Sequence, residues 1–284
     1  MIDETVEEIS EMQTHSSSAV AVKAAAALRE LLDRDFATVE GYVRSLERNS
    51  SALQRAQPSH ASLHNTQREI VTSVEEADCE TVEEAKAKTD AVIDAVIESV
   101  ETAKHDAAEN AVELLPDGAT VLTHDYSSTV VEAIELAARE GHHIDVYVTE
   151  ARPRFLGRRT ARTLAEIDRV DTTLIVDSAA GHYLDECDRV FLGMSTIVDD
   201  TLYNRVGTFS IAAAAAELAV PVSVVGASEK IIDEGFVFEN EFRSPVEVMR
   251  EPAEGFTVEN PAYDATPTHL LDSVVTDEGV RTFD

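Results

Sequence analysis

The chain has 284 residues, with 55 Asp and Glu against 23 Lys and Arg, a formal charge of −32. That length carries one large domain or two ordinary ones, and 44% apolar residues argue against wholesale disorder. The negative field repels polyanions, so no direct nucleic-acid binding is expected, and Cys79 and Cys187 make neither a disulfide scaffold nor an all-cysteine zinc site. No apolar run reaches the roughly 18 residues of a membrane span, and the start MIDETVEEIS is acidic, unlike a signal peptide. A soluble, cytoplasmic protein without membrane contact is expected.

Only five lysines occur, Lys23, Lys86, Lys88, Lys104 and Lys230. Acid-rich, lysine-poor surfaces suit multimolar salt, where the Debye length shrinks to about 3 Å. In dilute buffer the same charges repel and loosen the fold.

Residues 1–117 read as a helical domain. Val20, Ala24, Ala27, Leu28, Leu31 and Leu32 fall on one face at 3–4 spacing, and Val39, Val43, Leu46 and Leu53 repeat the pattern. Val92, Val96, Val100, Ala103 and Ala107 stripe a long helix, which Thr81 and Glu84 open as a capping box. Pro116-Asp117-Gly118 stops it.

Residues 118–284 change period. Short β-branched runs fall at 119–122, 144–148, 172–176, 189–192, 222–225 and 274–275. Helical segments at 129–139 and 209–218 lie between some of them. Strand, helix, strand at this spacing predicts βαβ units in a Rossmann-like, doubly wound parallel sheet. No Gly-x-Gly-x-x-Gly follows the first strand, so no nicotinamide cofactor is implied, and no cofactor of any kind is expected.

In such sheets ligands bind beyond the carboxyl ends of the strands. The first strand runs into Thr123-His124-Asp125-Tyr126-Ser127-Ser128 and then a helix start, which is either an ordinary N-cap or a phosphate cradle of N–H groups and hydroxyls. The second ends at Arg152 and Arg154, close to Arg158 and Arg159, suited either to clamping an anion or to surface ion pairs. Asp177-Ser178, Gly193-Met194-Ser195 and Asn204–Thr208 close later strands or open helices. His142 and His143 sit past a helix end, where a cation suits the dipole. No His, Cys and carboxylate set has metal spacing.

Five blocks in order, THDYSS (123–128), VYVTEARPRFLG (146–157), IVDSAAGHYL (175–184), NRVGT (204–208) and NPAYDATP (260–267), resemble the alpha, beta and delta regulatory subunits of translation initiation factor 2B. That family includes isomerases of ribose-1,5-bisphosphate and methylthioribose-1-phosphate. The resemblance implies a dimer and a pocket for a phosphorylated small molecule at Asp125, Tyr126, Ser127, Arg152, Ser195, Asn204, Arg205 and Asp264. It also shows departures. The isomerases' cysteine and aspartate, their acid/base pair, are Asp125 and Ser195 here. Arg205 replaces a lysine, Gln57-Pro58-Ser59 replaces Arg-Pro-Thr, and an Arg-Gly-Ala loop is lost near His15-Ser16-Ser17. Serine cannot replace a titrating carboxylate. The expectation is therefore a non-catalytic homologue that regulates translation initiation, as a homodimer and with initiation factor 2 as a partner. The alternative is an aldose–ketose isomerase acting on ribose-1,5-bisphosphate or a related sugar 1-phosphate, using Asp125 as its base.

The charge pattern makes one measurement decisive. The melting temperature should climb steadily from dilute buffer to multimolar KCl, and a flat or falling curve in a scanning-fluorimetry titration would contradict adaptation to salt.

Overall fold

The computed structural model describes residues 2–11, 16–232, 238–251 and 254–283. His15, part of the lost-loop comparison, lies outside them. The chain divides into two compact units, Met1–Ala103 and Lys104–Asp284.

The first unit is helical: α1 (Ile2–Ser10), α2 (Ser17–Ala27), α3 (Val39–Ala56), α4 (Ala61–Glu75) and most of α5 (Val82–Val112), which runs on into the second unit. Its core joins Ile2, Ile9, Val20, Ala24, Leu28, Leu31, Leu46, Leu53, Leu63, Ile70, Val92, Ile93 and Val96. The 3–4 spacing read from sequence thus marks buried faces. α3 turns slightly from expectation. Its largest fully buried residue is Tyr42, whose hydroxyl donates to Thr89 Oγ1 at 2.8 Å, while Val39 and Val43 stay partly buried. The capping box at α5 is formed: Glu84 N–H donates to Thr81 Oγ1 at 3.2 Å, and Thr81 N–H to Glu84 Oε2 at 3.3 Å. The Gln57-Pro58-Ser59 turn is buried, with Gln57 Nε2 donating to the Ile9 carbonyl.

The second unit is a doubly wound α/β layer. Its strands are β1 (Ala119–His124), β2 (Ile144–Thr149), β3 (Val170–Ile175), β4 (Arg189–Gly193), β7 (Val222–Val225), β10 (Ser273–Thr276) and β11 (Gly279–Thr282). They lie in the order β11-β10-β7-β4-β1-β2-β3, and all neighbours are parallel except β10 and β11. Side chains alternate between two cores, as a period of two requires. Val121, Val146, Val148 and Phe191 face α6 (Ser128–Arg139) through Val130, Ala133, Ile134 and Ala137. Leu122, Val190, Leu192 and Val224 face α9 (Thr208–Glu217) through Ile211, Ala212 and Ala215. Two short helices, α7 (Gly157–Leu164) and α8 (Ala180–Tyr183), complete the layers. The connections from β1 run outward to β2 and β3, whereas β4 and β7 lie on the other side. The strand order therefore reverses between β1 and β4, and a crevice opens beyond their carboxyl ends.

A second sheet was not foreseen. β5 (Thr196–Val198), β6 (Thr201–Arg205), β8 (Ile231–Ile232) and β9 (Tyr263–Pro267) order as β8-β5-β6-β9. It grows directly from the end of β4, and register pairing sets Asn204 against Asp264 and Arg205 against Tyr263. Asn204 and Arg205, read from sequence as part of a loop, thus end a strand. Among the described residues no helix is long and apolar enough to cross a membrane.

Candidate functional site

The crevice is built where β1 leaves the sheet. Ser127 caps α6 by accepting from Val130 N–H at 3.3 Å, so the ordinary-cap reading of this segment describes its geometry. Its side chain presses on β4: a Cβ added to Gly193 would stand 2.5 Å from Ser127 Cβ and Oγ. Only glycine permits that approach. Tyr126 lies under the Arg159 guanidinium, 4.1 Å from its ring centre.

Asp125 is buried and sits in the left-handed region at φ +63°. Its carbonyl accepts from Thr160 Oγ1 at 2.6 Å, and its Oδ2 lies 3.2 Å from Arg205 Nε. Burial works against the Arg205 charge. Tyr263, Asp125 and Glu241 outweigh it, and the Arg205 pKa is raised.

His124 braces the same corner. Its Nε2 lies 2.9 Å from the Val206 carbonyl, which can only accept, so Nε2 carries a hydrogen. Its Nδ1 lies 2.6 Å from Thr149 Oγ1. Gly207, at φ +113°, runs so close that a Cβ there would fall 2.8 Å from His124 Nε2.

Beyond β2, Asp177 accepts the N–H groups of Ala151 and Arg152, both at 2.7 Å, and so shapes the arginine loop. The Arg152-Pro153 bond is cis. Arg152 and Arg154 face the crevice, whereas Arg158 pairs with Glu150 at 2.7 Å.

The resulting pocket is lined by His124, Asp125, Arg152, Arg154, Arg205, Arg243, Glu247 and Asn260, with apolar walls from Leu156, Val206 and Ala262. Four arginines face two carboxylates, a formal +2 in a chain of −32. Burial, and next the nearby Arg243, hold Arg154 below the usual guanidinium range. Of the residues singled out in sequence, His124, Asp125, Arg152, Arg154 and Arg205 line this pocket. Ser195, Asn204 and Thr208 form a buried chain beside it: Ser195 Oγ donates to Asn204 Oδ1 at 3.2 Å, and Asn204 Nδ2 to Thr208 Oγ1 at 3.0 Å. Asp264 is engaged elsewhere, its Oδ2 accepting from the N–H groups of Gly207 and Phe209 at 2.7 and 3.1 Å, at the start of α9. Sequence reasoning missed Arg243, Glu247 and Asn260. The available signals were an arginine in an irregular, acid-rich stretch and the place of Asn260 at the head of the NPAYDATP block.

The histidine reading also changes. His142 Nδ1 bonds the Leu115 carbonyl, and His143 Nε2 pairs with Asp171 Oδ2 at 2.8 Å. His143, Asp145 and Asp171 bring possible metal ligands within 4.8 Å of one another, on an exposed edge. Adjacent parallel strands in register create that juxtaposition, which linear spacing does not display.

Comparison with known proteins fixes the lineage. A ribose 1,5-bisphosphate isomerase of Haloterrigena turkmenica is 33% identical, with 97% of this chain and 88% of that protein covered. Another, from Methanocaldococcus jannaschii, is 31% identical with 99% and 91% covered. Among solved structures, the translation initiation factor eIF-2B of Pyrococcus horikoshii OT3 superimposes with a TM-score of 0.85 at 23% identity, covering 99% of this chain and 96% of that one, a likeness of fold. These relatives correct the expectation of a non-catalytic translation regulator. Whole-chain similarity at this level runs to proteins named as isomerases.

Burial pushes the Asp264 carboxyl upward, against the lowering effect of the Gly207 and Phe209 N–H groups. A raised native pKa means that the folded state holds the proton more tightly, so wild-type stability falls as pH rises through that pKa. Asp264→Asn keeps a carbonyl acceptor without the charge. It should match or exceed wild type at pH 7 and lose that advantage in acid. Asp264→Ala orphans two N–H groups and should cost about 1–3 kcal/mol. Denaturant titrations at constant KCl, at pH 4 and pH 7, check both.

The initiation factor 2 subunit family model matches residues 13–282, and the chain belongs to that family.

Proposed function

We propose that this protein is a sugar-phosphate isomerase acting on ribose 1,5-bisphosphate or a closely related sugar 1-phosphate. The observation that carries the reading is the buried Asp125–Arg205 pair inside an arginine-lined pocket at the sheet's reversal point. The names of the whole-length relatives support it.

The chemistry asks for little machinery. The ring oxygen gains a proton as its bond to C1 opens. The hydrogen on C2 passes to C1 with its bonding electron pair, and the C2 hydroxyl loses its proton as the carbonyl forms. One proton leaves the hydroxyl for each that the ring oxygen gains, so a single carboxyl group balances both ends. Asp125 is that group in this reading. Arg205 orients it through the 3.2 Å contact between its Nε and Asp125 Oδ2. Arg152 and Arg154 take phosphoryl oxygens, for which the planar guanidinium fork is suited. Ser195, hydrogen-bonded to Asn204, supplies a hydroxyl rather than a second titrating group. The reading places the protein in the cytoplasm, at multimolar salt, and makes no use of initiation factor 2.

A homodimer belongs to the same proposal. β3 is an edge strand, and its Leu174 and the following Val176 are 46% and 55% exposed. An uncovered apolar edge invites pairing with a second copy. Light scattering in molar KCl should give twice the chain mass, and a monomer mass would remove this part.

Turnover decides the main claim. In molar KCl the wild type should convert ribose 1,5-bisphosphate, or a related sugar 1-phosphate, to the ketose. Asp125→Asn should slow kcat by about 10²-fold or more with a folded protein. A wild type inactive on all such substrates ends the proposal.

A further inference from the structure

The pocket is too small for the ligand just proposed. Its volume is about 30 Å³, room for a water molecule or two. What fills it is the chain itself. Segment 241–248 closes one wall of it through Arg243 and Glu247, and is fastened to 260–262 by backbone bonds: Arg243 N–H donates to the Asn260 carbonyl at 2.8 Å, and Ala262 N–H to the Glu241 carbonyl at 2.8 Å. A short 3-10 turn, Pro245–Glu247, carries the Glu247 carboxylate inward. Its Oε1 lies 3.6 Å from Arg154 Nε, and its Oε2 accepts from Asn260 Nδ2 at 3.0 Å. The next residue's carbonyl, Val248, accepts from Arg152 Nη2 at 3.1 Å.

The two arginines at the end of β2 are thus both occupied by one small segment. One meets a carboxylate and the other a carbonyl. These are the oxygen types that a phosphoryl group would replace. We infer that Glu247 is a built-in counter-ion of the phosphate position: it holds Arg154 and the closing segment in place until a phosphoryl dianion displaces it, and so selects phosphorylated ligands over those bearing a single negative charge. The inference rests on the isomerase reading for the identity of the ligand, but not for the displacement itself.

The selection follows from competition. A ligand with one negative charge gains nothing over the carboxylate already seated, which is held at no cost in translational freedom. A phosphoryl dianion brings more charge and three acceptor oxygens, enough to engage Arg152 and Arg154 together. Glu247 side-chain exposure is 29% and that of Arg154 is 25%, so this exchange takes place in partial shelter from salt.

Inorganic phosphate is the probe, titrated calorimetrically at fixed molar KCl and neutral pH. Glu247→Gln keeps an acceptor for Asn260 while removing the competing charge. It should bind phosphate about tenfold tighter than wild type. Glu217→Gln, an exposed change on α9, controls for lost net charge and should stay within about twofold. Adding Arg154→Gln to Glu247→Gln should erase the gain, because Arg154 is its source. Unchanged or weaker phosphate binding by a folded Glu247→Gln overturns the inference, as does an equal gain in Glu217→Gln. The result is separable from turnover: tighter phosphate binding by Glu247→Gln in a protein that isomerises nothing would keep the displacement and discard the isomerase.

Discussion

The ion pair between Asp125 and Arg205 is the contact on which the crevice depends. It ties the exit of β1 in the large sheet to the end of β6 in the small one. Neither charge is cheap to bury. A lone buried carboxylate at this depth would neutralise or pull the loop outward, and removing one member of a buried pair typically costs about 3–5 kcal/mol. The pair is therefore weak evidence for added stability and strong evidence for position. Thr160 holds the Asp125 carbonyl from α7, Tyr263 lies against the Arg205 guanidinium from β9, and His124 clamps Val206 from the β1 side. Three elements thus fix one carboxylate at the place where the sheet reverses its winding.

Much of this architecture was legible in the residues, for physical reasons. The six parallel strands stand out because buried central strands read as unbroken β-branched runs, and the helices between them keep a 3.6 period. The α5 capping box is a local hydrogen-bond pattern, so local sequence displays it. The small sheet is a different matter. β5, β6 and β8 have three, five and two residues, and β9 joins β6 from across almost sixty positions. Strands that short carry no measurable alternation, and their pairing is a long-range fact.

The site divides along the same line. Asp125 and Arg152 were found because they follow recognisable strands. Arg205 was found by motif, with its strand unrecognised. Asp264 sat in the right block, yet its carboxylate is directed to the N-terminus of α9, and only register with Asn204 explains why. Glu247 comes from an irregular segment whose course is set by backbone bonds to 260–262. No periodicity announces such a segment, although it decides what the pocket can admit.

Under the proposed adaptation to multimolar salt, a pocket made of arginine has a physical reason. At multimolar salt the Debye length is about 3 Å, so attraction from a distance is worth little and a basic patch cannot gather anions. Recognition must then work at contact, through directed hydrogen bonds that salt cannot screen once the partners are sheltered. A guanidinium gives five donors in a fixed plane, whereas an ammonium is a strongly hydrated point charge. Four arginines and no lysine line this pocket, and the Lys230 ammonium is instead buried beneath Met194, its pKa pushed down to about 8 by desolvation. In such a medium the surface carboxylates serve hydration and solubility. Specificity falls to the few charges that the fold hides from the salt, and the internal carboxylate on Arg154 belongs to that small set.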